Sequence, residues 1–365
     1  ITVSGTGGRP SVPEDVIDVG NSGTTLYLGM GTAALAPGLS VFTGDHQIRR
    51  RSAGPLLEAL SGLGATALST RENGCAPIVV GGGLRCDRVA VESPTSQYLS
   101  SLLLAAPLAD TAARRYGGGR SDATELEVLL LNERPYVDMS LWWLDSQNIA
   151  YERNGYEWFR IPGGQSYRAF DTRIPADFSS ATFLACAAAV TGSRLHLLGL
   201  DMDDPQGDKA VLDILARMGC TVEHAENRVT VSGPPDAFDA ASGHATASLR
   251  GGSFDVNAVP DALPALAATA CYAVEPVALV NVPQARAKET DRVAVMAAEL
   301  AKMGARVEER RDGLVVHPAR EKSEDARAGK PVLQGTEVHG HADHRVVMAL
   351  AVAALGAAGR TRIGT

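Results

Sequence analysis

The sequence predicts an α+β protein built from several copies of one small module stacked about internal helices. Three observations predict it. Three segments align on a glycine: Leu57, Leu60 and Leu63 lead to Gly64-Ala65, Leu212, Leu215 and Met218 to Gly219-Cys220, and Met296, Leu300 and Met303 to Gly304-Ala305. Each spacing puts the apolar side chains on one helical face, glycine ends the helix, and an alternating strand follows. Four Ala-rich stretches, Tyr98–Ala106, Ala181–Val190, Leu263–Ala273 and Val346–Ala354, are apolar nearly all round. Helices with no polar face belong inside a packed lobe. Short β-branched runs, Val89–Val91, Glu127–Leu131, Arg194–Leu198 and Leu314–His317, lie between them with Gly or Pro at their edges. Repeated α and β units with buried helices give the α+β class.

The Gly-Gly-Gln-Ser-Tyr stretch at Gly163–Tyr167 marks the boundary region, leaving a first lobe, 1–170, with Arg51 and a second, 171–365, with Lys288. Ala319–Lys330, charged and Gly-containing, reads as a surface loop. A length of 365 residues suits two domains, and 45 % hydrophobic with 21 % charged residues argues against disorder. The net charge of −8 excludes a generally basic nucleic-acid binder. Any anion must then be met by a local cluster of Arg and Lys. The longest apolar stretch, Val346–Ala358, falls short of the roughly 20 residues of a membrane span, and no charged-then-apolar leader precedes it. These features predict a soluble cytoplasmic protein with no membrane partner. Cys75, Cys86, Cys186, Cys220 and Cys271 are odd in number and widely spaced, so they read as buried thiols rather than disulfides or a metal site. The chain opens on Ile1 with no Met and ends on Arg362–Thr365 without a closing element; both ends read as cuts.

What precedes the helices is the most informative feature. Asn21–Thr25, Gly44–Arg51, Thr95–Gln97, Lys288–Arg292 and Asp343–Arg345 each stand at the start of an apolar helix. Helix N-termini expose free N–H groups and the positive end of the dipole, so they accept phosphate and carboxylate. Lys288, Arg292 and Arg345 lie near such ends, where a cation is unfavourable unless an anion is present. Any one of these motifs is explained by ordinary N-capping with solvated charges. Five together, three of them carrying Arg, point to one site for a strongly anionic ligand. Lys288 and Arg292, four apart, are expected to share a helical face and grip an anion, with Glu289 beside them as a proton shuttle. The plainer alternative is that Glu289 and Arg292 form a surface pair worth little. Asp261, just before another apolar helix, reads on its own as an N-cap. His339-Gly-His341-Ala-Asp343-His344 has the H-x-H-x-D-H spacing of zinc hydrolases of the metallo-β-lactamase type, but only 21 residues follow His344 and none is a His.

Taken together, Gly20-Asn-Ser-Gly-Thr24, Thr43-Gly-Asp45 with Arg49-Arg-Arg51, Ser96-Gln97-Tyr98, Gln165-Ser-Tyr167, Pro260-Asp261, Ala287-Lys-Glu-Thr-Asp-Arg292 and Asp343-His-Arg345 resemble the 5-enolpyruvylshikimate-3-phosphate synthase family, in order and over almost the entire chain. UDP-N-acetylglucosamine enolpyruvyl transferase is less similar: it usually has a catalytic Cys in the loop corresponding to Gly44–Arg51, which has none here. The resemblance implies two lobes of βαβαββ modules around buried helices, closing on substrate at a hinge. It also implies transfer of the enolpyruvyl group of phosphoenolpyruvate to the 5-hydroxyl of shikimate 3-phosphate, by addition and then elimination of phosphate, in a monomer without metal or organic cofactor.

By the same resemblance, Asp261 accepts the 5-hydroxyl proton and Glu289 gives a proton to the phosphoenolpyruvate methylene and takes it back. Thr95, Ser96, Gln97, Tyr136, Asp261, Gln284 and Lys288 match shikimate 3-phosphate ligands. Gly23, Thr24, Gln97, Arg51, Arg292 and Arg345 match the phosphoenolpyruvate site, where arginine stays charged and bonds two oxygens at once. Four positions depart from the pattern: Thr95 replaces Ser, Gln284 replaces Asn, Tyr27 replaces Arg, and Glu133 replaces Ser near the substrate phosphate. A carboxylate at Glu133 repels phosphate unless it turns away. The family's Pro-Gly-x-Lys-Ser segment and its C-terminal Lys-containing strand and helix have no match in these residues. The alternative left open is a shortened homologue that binds substrate without turning it over.

Overall fold

The computed structural model describes residues 1–111, 121–318 and 332–365; the Ala319–Lys330 segment expected as a loop lies outside the described residues. The chain divides into two compact units, Ile1–Thr172 and Arg173–Thr365.

In the first unit the order is β1 (Ile17–Asp18), α1 (Gly23–Ala33), β2 (Leu39–Thr43), α2 (Gly54–Gly62), β3 (Thr66–Ser69) and β4 (Ile78–Gly81). It repeats as β5 (Arg88–Ser93), α3 (Ser96–Ala105), β6 (Ala123–Leu131), α4 (Arg134–Ser146), β7 (Glu152–Asn154) and β8 (Trp158–Pro162). Each run forms a sheet of the same order, β1-β2-β4-β3 and β5-β6-β8-β7. In each, the first two strands are parallel and the others antiparallel. This is the βαβαββ module, twice over. The helix joining each parallel pair, α1 or α3, is the inner one, and the two pack together. Their approach requires glycine at Gly31, where a Cβ would stand 2.5 Å from Ser101 Oγ and 2.7 Å from its carbonyl oxygen.

The second unit begins with α5 (Phe178–Thr191), β9 (Arg194–Leu198), α6 (Ala210–Arg217), β10 (Thr221–Ala225) and β11 (Arg228–Ser232), followed by the hairpin β12 (Phe238–Asp239) and β13 (His244–Ala245). A full module follows: β14 (Gly252–Asp255), α7 (Leu263–Ala270), β15 (Val277–Val280), α8 (Arg292–Lys302), β16 (Arg306–Arg310) and β17 (Gly313–His317), in the order β14-β15-β17-β16. Last come β18 (Glu337–His339), α9 (His344–Gly356) and β19 (Arg362–Gly364), with the strands parallel. The Ala-rich helices α5, α7 and α9 pack on one another at the centre, and every residue of α7 is buried. Small side chains let the helix axes come close, while the sheets cover the outside.

The three glycine-ended repeats are α2–β3, α6–β10 and α8–β16. Gly64, Gly219 and Gly304 have φ of +89°, +108° and +97°, a region that L side chains rarely adopt. After each glycine the next amide reaches back to the helix, Ala65 to the Leu60 carbonyl, Cys220 to Leu215 and Ala305 to Leu300, at 3.1, 3.0 and 3.1 Å. The glycine thus lets the last turn satisfy its carbonyls before the strand begins. The five cysteines are free and buried, as their spacing suggested. Among the described residues no helix is long and apolar enough to cross a membrane.

Candidate active site

The expected site residues form two clusters, one in each unit. In the first unit they gather at the N-termini of α1, α3 and α4. Ser22 caps α1 through a bond from the Thr25 amide, which frees Gly23 and Thr24 at the helix start. Gln97, on the first turn of α3, donates to Thr24 Oγ1 at 2.6 Å. Arg51 follows the 3-10 turn Ile48–Arg50, whose amides are held by Asp45, and its Nη2 donates to Asn21 Oδ1 at 3.0 Å. A Cβ on Gly23 would lie 2.8 Å from Arg51 Nη1, so only glycine leaves the guanidinium its place. The Tyr27 and Tyr98 rings stack edge to face at 5.0 Å, and both hydroxyls donate to the Ser52 carbonyl beside Arg51. Tyr27, where the family often has Arg, therefore braces the backbone of the Arg51 loop and adds no charge.

Glu133 shows what its substitution does. It precedes α4 in a left-handed conformation, φ 59° and ψ 42°, and gives α4 no side-chain cap. Its carboxylate reaches α3 instead. Glu133 Oε2 accepts from Ser96 N at 3.1 Å, Ser96 Oγ at 3.0 Å and Thr95 Oγ1 at 3.1 Å, with the side chain 1 % exposed. The carboxylate does not turn away, contrary to what a free phosphate position requires. Instead it lies on the donors expected to meet the substrate. Tyr136 stands half-buried on the first turn of α4, its amide bonded to the Glu133 carbonyl at 3.1 Å.

The second unit's cluster is a charge network centred on Arg292. Arg292 Nη1 donates to Asp261 at 2.7 Å, Nη2 to Glu289 at 2.5 Å and Nε to Asp343 at 2.8 Å, and the side chain is 1 % exposed. Arg345 Nη2 meets Asp261 at 2.9 Å and Ser179 Oγ at 3.1 Å, and Lys288 Nζ lies 4.0 Å from Asp261. Burial would raise the Asp261 carboxyl, but Lys288, Arg292 and Arg345 outweigh it and hold Asp261 well below the usual carboxylate range. Burial also opposes the charge on Arg292, whose three carboxylate partners keep it firmly protonated. Asp343 caps α9 through the Arg345 amide at 2.9 Å while it binds Arg292.

Three expectations are corrected here. Lys288 and Arg292 do not share a helical face, because α8 begins at Arg292 with Asp291 as its N-cap and Lys288 ends the 3-10 segment Pro283–Ala287. They meet at Asp261 all the same. Asp261 is not an N-cap: it lies in the 3-10 turn Pro260–Ala262, Ala262 precedes α7, and the carboxylate faces the cations. The Glu289–Arg292 pair is not a surface pair: Arg292 is buried and Glu289 is partly buried. Gln284 stands apart from this network, its Nε2 donating to the Asn257 carbonyl at 2.9 Å and its Oε1 buried without a partner.

Residues 1–365 match the family described as EPSP synthase (3-phosphoshikimate 1-carboxyvinyltransferase). The chain belongs to this family. It is 50 % identical over 363 residues to the 3-phosphoshikimate 1-carboxyvinyltransferase of Acetivibrio thermocellus, covering 100 % of this chain and 77 % of that protein. For the enzyme of the same name from Ruminiclostridium cellulolyticum the identity is 48 % over 363 residues, with 100 % and 78 % covered. Among solved structures, EPSP synthase from Acinetobacter baumannii superposes with a TM-score of 0.69 at 26 % identity, over 96 % of this chain and 75 % of that one. The enolpyruvyl transferase NikO from Streptomyces tendae shares the fold, with a TM-score of 0.62 at 21 % identity over 90 % and 68 %. The EPSP synthase family is one of transferases, and its enolpyruvyl transferase fold is the one found here. Sequence reasoning gave no role to Ser179 and named Asn21 and Asp343 only as members of helix-start motifs, not as partners of arginines. Asp343 was visible as part of Asp343-His-Arg345; nothing in the sequence marks Ser179 or Asn21 as partners of distant arginines.

Proposed function

We propose that this chain transfers the enolpyruvyl group of phosphoenolpyruvate to the 5-hydroxyl of shikimate 3-phosphate and releases phosphate. The observation that carries the reading is the ionised Asp261 held among Lys288, Arg292 and Arg345. While its cations hold it, Asp261 is a weak base. Substrate phosphate and carboxylate groups compete for the same cations, and as Arg345 and Lys288 turn to them the Asp261 carboxyl rises toward a range in which it accepts a proton. Asp261 then takes the 5-hydroxyl proton as the oxygen attacks C2 of phosphoenolpyruvate, and Glu289, which takes up a proton from solvent as the substrate anions draw Arg292 from it, protonates the methylene carbon. Glu289 recovers that proton from the methyl group as phosphate leaves, and the departing phosphate carries away the proton that Asp261 took. Neither half has a redox step, so the proposed reaction calls for no redox cofactor. Thr95, Ser96, Gln97, Tyr136, Gln284 and Lys288 are assigned to shikimate 3-phosphate, and Gly23, Thr24, Gln97, Arg51, Arg292 and Arg345 to phosphoenolpyruvate. A net charge of −8 supports small-molecule substrates rather than nucleic acid, and the protein is proposed to act as a monomer in the cytoplasm.

Phosphate release is measured with both substrates and with each alone. Release that needs both supports the reading, and none from the wild-type chain overturns it. Asp261→Asn and Glu289→Gln are expected to lower turnover on the order of 10²-fold or more, as loss of a positioned acid–base group does. Near-normal rates in both would remove their assigned roles.

A further inference from the structure

The proposed reaction uses none of the three histidines of the H-x-H-x-D-H stretch, two of which, His339 and His341, lie beside a buried carboxylate of α8, Glu299, that it does not use either. The structure joins them. His341 Nε2 donates to Glu299 Oε1 at 2.8 Å, and the His339 main-chain N–H donates to Glu299 Oε2 at 2.9 Å. Lys302 Nζ gives the same carboxylate two more bonds, at 2.8 and 2.7 Å, and Glu299 is 2 % exposed. The His341 amide donates to His339 Nδ1 at 2.8 Å, and the two rings meet edge to face at 4.7 Å.

Between these anchors the chain is strained. His341 and Ala342 both have positive φ, 53° and 55°. Two successive non-glycine residues in that region persist only where surrounding contacts over-determine them. The turn is tied at one side by Gly340 N to the Gly364 carbonyl, at 2.6 Å, and closed by the Asp343 amide on the Gly340 carbonyl, at 2.9 Å. Glu299 and Arg292 lie two helical turns apart on α8, so one rigid helix presents an anion to the turn and a cation to the residue that leaves it. That residue is Asp343, which binds Arg292 and starts the helix carrying Arg345.

We propose that Glu299 and His341 are positioning residues: they clasp the 340–342 turn to α8 and thereby set where Asp343 and Arg345 meet Arg292 and Asp261. The consequence for phosphoenolpyruvate rests on the function proposed above. Burial would raise the Glu299 carboxyl, but Lys302, His341 and the His339 amide hold it below its ordinary value, so the clasp keeps its charge.

The test uses the full chain with His341→Asn, Glu299→Ala and Glu299→Gln. Asparagine tolerates positive φ but is too short to reach Glu299, so His341→Asn releases the clasp and keeps the turn's backbone. Amide hydrogen exchange over 339–346 is read alongside kcat and the KM for each substrate. His341→Asn and Glu299→Ala are expected to speed exchange in that segment and raise the KM for phosphoenolpyruvate about tenfold, with kcat and the other KM within about twofold, as for a misplaced anchor group. Glu299→Gln, which still accepts a bond, is expected to recover part of the loss. Unchanged exchange overturns the clasp. Faster exchange with an unchanged KM for phosphoenolpyruvate overturns its link to Arg345, and an equal rise in both KM values reduces it to general packing and overturns it too. If the wild-type chain releases no phosphate, the functional reading fails, and the exchange data alone uphold or overturn the clasp.

Discussion

Glu133 shows how one substitution rewires a helix end. A single carboxylate oxygen takes three donors at the start of α3, satisfying one amide and two hydroxyls that otherwise face solvent or ligand. On the proposed function, that oxygen must leave before a phosphate uses the same donors. Glu133→Ser is therefore expected to lower the KM for shikimate 3-phosphate several-fold and to cost about 1 kcal/mol of stability through the lost cap. Initial-rate kinetics and urea unfolding check the two parts. A raised KM would mean that Glu133 holds α3 in its binding form. The sequence shows that a carboxylate stands there, but it does not show the choice of α3 over α4. That choice depends on a left-handed backbone at Glu133 and on a contact across 37 positions of the chain.

Helices are where the sequence is most legible, and the reason lies in their ends. The glycines at 64, 219 and 304 mark true helix ends because only glycine takes the required φ cheaply. Cap residues are more ambiguous: both Thr290 and Asp291 can start a helix, so spacing alone could not place the start at Arg292 rather than Lys288. The helix α4 escaped notice because no ordinary capping side chain precedes it, and Ser140 interrupts the buried face formed by Val137, Leu141 and Leu144. Caps also differ in weight. Asp291 is an ordinary N-cap of α8, partly exposed and shared with Arg286, whereas Asp343 caps α9 and also neutralises a buried guanidinium. Asp291→Ala is expected to cost about 1 kcal/mol, and Asp343→Ala about 3–5 kcal/mol, because it leaves Arg292 short of a charge partner in the interior. Urea unfolding of the two variants side by side checks the difference, and equal losses would mean that water reaches Arg292.

At the scale of the whole chain, the repeated modules follow from the helix and strand pattern. The residue roles come from family motifs, and the pairings in each cluster come only from the structure. Asp261 meets cations 27, 31 and 84 positions further along, a closure that no local pattern encodes. The same pairs set the response to acid. Asp261 and Asp343 both titrate below their ordinary value of 3.8 in the folded chain, so as pH falls the unfolded chain binds protons first. Their contribution is complete above about pH 5 and is lost as pH drops through that value toward their lowered ones. Thermal unfolding between pH 6 and 3 is expected to show a falling melting temperature, with a shallower slope in Asp343→Asn; parallel slopes would count against the assignment. The second unit's network also bears on how a ligand arrives. Lys288, Arg292 and Arg345 face Asp261, Glu289 and Asp343, three positive groups against three negative, so their fields largely cancel at a distance. An anion diffusing in meets almost no long-range attraction from this cluster. Its capture there is an exchange of partners at contact, and ionic strength has little screening left to do.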